Sequence, residues 1–522
     1  MSDAANIRGA GAMAVKKSTR KSMPKVRTGC RTCKKRHIKC DEGKPDCQNC
    51  SRTGRRCEGY PAAMDGQGKE VQRQQRLEIR EYSLPFKVPG SAADRQLLHF
   101  YCVEAAAGLS SFSDPTLWTT FILQRSHHQP VIRKALVTLA GLYREYLQGG
   151  CSIQNSGSQV AMQRIAKCHR QLRLYLRSPD ASPETPLICS VLFFAFETLV
   201  GDASSAIQHL DNGLNLLKQS QARSQHTSAT DEILPYLSAI FSRLDVQAST
   251  FDDERVPILT LISSEEMSGL VNVVPDNLSS LVDAESILTK LQNWLMHHII
   301  AHVQHKHNPI EEFPPGLLQE RLVLYQQYER FLFGLNDLIA SLPANMVHRA
   351  LLLRIQALMY HAILLENIPK HTYPSPCPSE ASFSCSTPSQ IPNDALQSAL
   401  LDMQRFLSSL GSPGTPRHFT LSSQLVAILY FLCLKTTDHK SREAAFSLLQ
   451  HSNLPARDGL WEAQKATVIL RTLMSQAPTE PDEIGGRLED AGKEVFDANE
   501  GGIEHVFRTL TAQSAPPVEE VT

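Results

Sequence analysis

The chain has 522 residues, 42% of them hydrophobic, with 30 prolines and 27 glycines. That is the make-up of a chain that buries real cores, and it excludes collagen-like and wholly disordered classes. The 53 Lys+Arg balance 53 Asp+Glu overall, yet residues 1–60 hold 16 basic against 5 acidic residues, so a basic head precedes an acidic body. The longest uninterrupted apolar stretch, Leu425 to Leu434, is far short of the roughly 18 residues that cross a bilayer. The N-terminus also has no hydrophobic signal core, which argues against membrane and secreted readings.

In chain order, residues 1–23 read as a basic disordered arm. Lys16, Lys17, Arg20, Lys21, Lys25 and Arg27 form a cluster suited to nuclear import or extra phosphate contacts. Residues 24–62 carry six of the 13 cysteines, Cys30, Cys33, Cys40, Cys47, Cys50 and Cys57. The intervening intervals are two, six, six, two and six residues, so the second half of the segment repeats the first. The other seven cysteines are scattered. An odd total without a secretory signal points to a reducing compartment, where clustered thiols serve as metal ligands. Two tetrahedral ions need eight ligand positions, so six thiolates serve two ions only if two sulfurs bridge. A single four-cysteine site with two spare thiols is the rival, and it leaves the repeat unexplained. With almost no large apolar side chains, such a segment folds only around its metal.

The spacing, the basic run Lys34-Lys35-Arg36-His37-Ile38-Lys39 and Pro45 resemble the fungal binuclear zinc-cluster transcription factors over roughly residues 27–60. The resemblance implies two zinc ions per chain, Cys30 and Cys47 as the bridging ligands, double-stranded DNA as partner and a nuclear regulator of transcription. Lys34, Lys35, Arg36, His37 and Lys39 are then expected to share one short helix, some on phosphates and one or two on base edges in the major groove. Two zinc ions and six thiolates sum to about −2, which leaves the head strongly attracted to phosphate. The family reads a CGG-type triplet, and its leading base-reading lysine aligns with His37. This departure replaces a long cation by an imidazole.

Residues 63–92 read as a flexible linker. Val71, Leu77, Ile79 and Tyr82 do not supply the apolar heptads of a dimerising coiled coil. Residues 93–479 are expected to form an all-α regulatory domain, with apolar residues at steps of three and four around 186–200, 203–218, 281–303, 344–366, 419–435 and 460–475. The predicted fold is therefore a small zinc-stapled binuclear cluster domain plus a large all-α helical domain. Trp118, Leu123-Gln124, Ser126-His127, Pro130 and Ile132-Arg133, then His209-Leu210 and Gly213-Leu214, then Phe241, Arg243-Leu244-Asp245 and Gln247 resemble the regulatory region of the same family. That implies control without catalysis, with coactivators or the transcription machinery and a small-molecule effector as candidate partners.

Phosphate-loop, zinc-protease, nucleophile-elbow and dinucleotide motifs are missing from the sequence, so no enzyme is expected. His298, His302 and His305 fall on one helix face, which reads as a polar surface because no carboxylate or cysteine ligand joins them. Residues 369–392 read as a flexible Ser/Pro loop. The tail 480–522 carries 11 acidic and 3 basic residues interleaved with Leu488, Val495, Phe496, Ile503, Val506 and Phe507. This pattern suits an acidic activation segment or a final amphipathic helix.

Overall fold

The computed structural model describes residues 28–60 and 89–476, except 111, 150–156, 180, 225–231, 253–254, 304–313, 344–345, 367–392, 411–418 and 437. The basic arm with its Lys16–Arg27 cluster, linker residues 63–88, the Ser/Pro stretch 369–392 and the tail 480–522 lie outside the described residues. The chain divides into two compact units, Met1–Pro85 and Phe86–Thr522.

The first unit contains two short helices, α1 (Arg31–Lys35) and α2 (Gln48–Ser51). The second begins where Ser91 and Asp94 form a reciprocal capping box, 3.1 and 3.0 Å, that starts α3 (Ala92–Phe100). After π-helical turns at Tyr101–Ala105 and Leu117–Phe121 flanking α4 (Ala106–Leu109), α5 (Ile122–His128) leads into α6 (Pro130–Leu147). Pro130 opens α6 where its missing N–H is not needed. There follow α7 (Gly157–Tyr175), α8 (Glu184–Val200), α9 (Ala203–Ser224), α10 (Leu234–Phe251), α11 (Ser264–Met267), α12 (Leu281–Val303), α13 (Pro315–Ser341), α14 (Val347–Glu366) and α15 (Asn393–Ser409). The described residues close with α16 (Leu425–Lys435), α17 (His439–Leu449) and α18 (Ala463–Gln476).

Two of these helices are predominantly apolar around their whole circumference, and a helix of that kind has to sit inside. Leu187 to Val200 of α8 are buried without a break, and α8 packs against α6 and α9. Leu425 to Tyr430 of α16 are likewise buried, and α16 packs on α14, α17 and α18. Between these two regions α12 packs against α10, α13 and α14.

The periodicity at 419–435 and 460–475 predicts helix throughout, and here the structure differs. Phe419–Thr420 (β1), Arg457–Asp458 (β2) and Trp461–Glu462 (β3) form a small sheet, in which β2 pairs parallel with β1 and antiparallel with β3. The cause is the buried carboxylate of Asp458. It accepts hydrogen bonds from the Ser423 N–H (2.8 Å), Ser423 Oγ (2.8 Å) and Thr420 Oγ1 (2.9 Å), which hold a bend at 421–422 between β1 and Gln424, at φ 60°, where the chain turns into α16. Local hydrogen bonding here overrides helical spacing.

The family-like residues of the body are structural joints. Asp245, fully buried, accepts from the N–H groups of Ile258 (3.1 Å) and Leu259 (2.7 Å) and from Arg255 (2.8 Å). Arg243 and Arg349 both pair with Glu285. His298 corrects its expected place on a polar surface: it is 3% exposed and its Nδ1 faces Glu320 of α13 at 3.2 Å. The side chain of His302, and His305 altogether, lie outside the described residues.

Candidate zinc centre and nucleic-acid interface

The head is built as two copies of one motif, 17 residues apart. In each copy a cysteine precedes a short helix, Cys30 before α1 and Cys47 before α2, and the second cysteine sits within that helix. Each helix closes the same way. His37 N–H donates to the Lys34 carbonyl (3.2 Å) and Ile38 N–H to that of Cys33 (3.2 Å), while Gly54 donates to Ser51 (3.1 Å) and Arg55 to Cys50 (3.1 Å). The copies also cross-bond reciprocally. Thr32 Oγ1 donates to the Arg56 carbonyl (3.3 Å), and its counterpart Asn49 donates through Nδ2 to the Lys39 carbonyl (2.8 Å). Those exchanged bonds relate the halves by an approximate two-fold axis.

Between the halves the six sulfurs converge. Cys30, Cys33, Cys40 and Cys47 form one group and Cys30, Cys47, Cys50 and Cys57 a second, each with all ligand atoms within 4.8 Å of one another. The two groups share Cys30 and Cys47. The Cys30–Cys47 and Cys33–Cys47 sulfur separations are both 3.6 Å, and Cys30–Cys50 is 3.8 Å. A tetrahedral zinc with Zn–S of about 2.3 Å has sulfur–sulfur edges of about 3.8 Å. The donor set, its number and its spacing therefore fit two zinc ions sharing two thiolates.

The thiols differ in electrostatics. Burial pushes Cys30 up to about 12 and raises Cys47 further, and it also raises Cys33. Cys40 is buried too, but N–H groups of Cys30 and Glu42, each 3.4 Å from its sulfur, help to bring it down to about 7. Backbone N–H groups of Cys47 and Gly59 lower its counterpart Cys57. The shared pair are fully buried, and holding them there as thiolates calls for a cation.

The basic run is arranged differently from the expectation of one shared helix. Only Lys34 and Lys35 lie in α1, with Arg36 capping it. His37 adopts φ 54°, the left-handed conformation that ends a helix, so His37 and Lys39 lie beyond it. Histidine is among the side chains that tolerate this conformation, a local signal that charge counting passes over. Lys34, His37 and Lys39 are exposed. Lys35 Nζ is held 2.9 Å from Glu58, and half-buried Arg36 donates to Thr53 Oγ1 at 3.2 Å.

Comparison with known proteins agrees with this architecture. The fungal Zn(2)-Cys(6) binuclear cluster domain matches residues 28–66, and the fungal specific transcription factor domain matches residues 96–479. The chain belongs to the fungal zinc-cluster transcription regulators, whose cluster domain binds two zinc ions. It is 30% identical over 248 residues to the aspercryptin biosynthesis cluster-specific transcription regulator atnN of Emericella nidulans, covering 44% of this chain and 40% of that protein. It is 26% identical over 247 residues to the transcription regulator lscL of Purpureocillium lilacinum, covering 40% of this chain and 54% of that one. Over the head alone, 37 residues are 62% identical to the transcriptional regulatory protein moc3 of Schizosaccharomyces pombe, 7% of each chain. The matches thus span about half or less of each of these relatives. No solved structure matches the chain.

Proposed function

We propose that the protein is a nuclear, sequence-specific DNA-binding regulator of transcription whose head reads a short GC-rich triplet. The observation that carries this reading is the exposed basic turn, Lys34, His37 and Lys39, presented beside a cluster of six converging thiols. Cys30, Cys33, Cys40, Cys47, Cys50 and Cys57 hold the two zinc ions, with Cys30 and Cys47 bridging. Zinc supplies the fixed shape, and the chain's own cations do the recognition.

Arg36 and His37 are assigned to base edges and Lys34, Lys35 and Lys39 to phosphates. The Thr53 contact holds the Arg36 guanidinium against the end of α2, which leaves its other donors for guanine. Lys35 already faces Glu58, so it should contribute less to phosphate binding than Lys34. Binding-site selection and salt titration with the full-length chain test this assignment. Alanine at Arg36 or His37 should relax sequence preference by about 1–3 kcal/mol per lost contact. Alanine at Lys34 or Lys39 should weaken all sequences alike and lower the salt slope by about one unit, with less at Lys35. Equal behaviour of the two sets would overturn the division. The acidic tail is either an activation segment or a final amphipathic helix of the body, and fusion of residues 480–522 to an unrelated DNA-binding domain separates the two: reporter activation favours the first, no activation together with destabilisation of the body on tail removal leaves the second.

A metabolite-responsive body is the second reading. Its support is a polar cleft lined by Arg243, Glu285, Gln292, Gln356 and Gln424 beside Phe112. The cleft has only water-sized room, so an effector would have to open it. Saturable binding of a small molecule to the full chain, with altered transcriptional output and no turnover, would favour this reading and exclude an enzyme.

A further inference from the structure

We infer that His169, Glu197 and His209 form a binding site for a zinc-like divalent cation inside the helical body, distinct from the six-cysteine cluster. The three come from three successive helices, α7, α8 and α9. Glu197 lies in the last turn of α8, where the Gly201 and Asp202 N–H groups both donate to its carbonyl, 2.8 and 2.9 Å. This turn reverses the chain at once into α9 and brings His209, two turns in, back alongside the end of α8. Ser190 of α8 donates to the His209 carbonyl, which fixes the two helices together. His169 of α7 completes the group, its ring edge-on to Phe193 at 4.5 Å and 4.7 Å from the ring of His209.

One ring nitrogen from each histidine and one carboxylate oxygen of Glu197 lie within 4.8 Å of one another, and His209 Nε2 is 3.9 Å from Glu197 Oε1. Zinc bonds to nitrogen and oxygen of about 2.0–2.2 Å imply donor–donor edges of about 3.4 Å in a tetrahedron. Side-chain rotation closes a gap of that size. Two imidazoles and one carboxylate are a donor set that late first-row divalent ions accept, with the remaining position left to water. The Glu197 side chain is 4% exposed and that of His209 23%, so the group is enclosed on the Glu197 side and open at His209.

The group is unfinished as it stands. His169 Nε2 and Glu197 Oε2 are buried and have no hydrogen-bond partner among the described residues. Unsatisfied buried atoms are costly, and a cation held by this group would give both residues a partner. Glu197 also sits at the negative end of the α8 dipole, where an anion is disfavoured. Burial and nearby Asp202 push its carboxyl up to about 7, and burial lowers both imidazoles, His169 to about 4. Arg173 near His169 opposes a cation, while Asp202 favours one. The body's apolar packing would survive without metal, so the site serves as a cross-brace of three helices rather than as their only support.

The test uses the full-length chain with its cysteine cluster already loaded, titrated with zinc ion by calorimetry and followed by thermal melting. One further saturable equivalent and a higher body melting temperature are expected. Glu197→Gln, close in shape to the native side chain, and the His169→Ala/His209→Ala pair should each weaken that equivalent by at least about a hundredfold and abolish the thermal shift, while leaving the two cluster zinc ions in place. A native chain that takes up no third equivalent would overturn the inference. So would a third equivalent retained by the double variant, which would locate it on other histidines. If Glu197→Gln does not fold, His209→Gln at the open side gives the same readout.

Discussion

In the head the buried side chains are five cysteines, with Cys57 and Tyr60 packed against them; in the body they include Trp118, Trp294, Trp461 and nearly the whole of α8 and α16. The head therefore replaces buried apolar area by metal–sulfur bonds, and its stability is a zinc affinity, while the body's stability follows the area it removes from water. The largest test of that contrast is removal of zinc. Structural zinc contributes about 10–16 kcal/mol in small zinc-dependent folds. Chelation should therefore expose the Lys and Arg residues between Arg31 and Arg56 to trypsin while the body stays resistant. Serine at Cys30 or Cys47 should be at least as damaging as serine at any other position of the six, because each belongs to both sulfur groups. Concerted loss of head and body on chelation would break the comparison.

The converse experiment attacks the body's core. Phe194 is fully buried at the centre of α8, and alanine there should cost about 3–5 kcal/mol through lost burial and the cavity left behind. The denaturation midpoint of the body should fall while zinc content remains two per chain in the head. Acid reaches the body by a different route. His361 packs against Tyr325 and Tyr328 at ring separations of 4.8 and 5.9 Å, and burial pushes its imidazole down to about 4. Below about pH 6.5 the unfolded chain takes up a proton that the folded imidazole refuses, so body stability is undiminished above that pH and declines as pH falls toward 4. The loss is at most about 3 kcal/mol, since each pH unit between the unfolded and folded values is worth about 1.4 kcal/mol. His361→Phe should flatten this acid limb by that amount in denaturation curves measured at pH 7 and pH 4. An unchanged difference between the two pH values would remove His361 as the cause.

How much of this was legible in the sequence follows the same contrast. The cysteine spacing is dictated by coordination chemistry, so ligand count, the need for two shared sulfurs and the 17-residue repeat could be read directly. Which sulfurs are shared came only as a family expectation, and in the structure Cys30 and Cys47 are the two common to both groups. The helical body was legible from periodicity because apolar faces must meet. The small sheet was not, because it depends on Asp458 capturing Thr420 and Ser423 some 35 residues away. The grouping of His169, Glu197 and His209 was equally hidden, since it needs three helices to converge, and only His209 stood in a motif. In the basic run, composition located the cations but not the left-handed turn at His37 that takes His37 and Lys39 out of α1.

The smallest effect separates shape from recognition within the head. His37 and Gly54 occupy equivalent places in the two halves, at φ 54° and φ 63°, each ending its helix. At Gly54 an added Cβ would meet nothing within 4 Å, so Gly54→Ala exposes the backbone preference alone and should destabilise the zinc-loaded head by about 1 kcal/mol. His37→Gly relieves that preference while loosening the unfolded chain, so stability should move by under about 0.5 kcal/mol. Chelator competition on the full-length chain measures both. In DNA selection the order reverses: His37→Gly should blur the triplet, whereas Gly54→Ala should leave the preferred sequence unchanged. If His37→Gly instead weakened zinc retention more than Gly54→Ala, the imidazole would be holding the fold, and its assignment to a base edge would lose its ground.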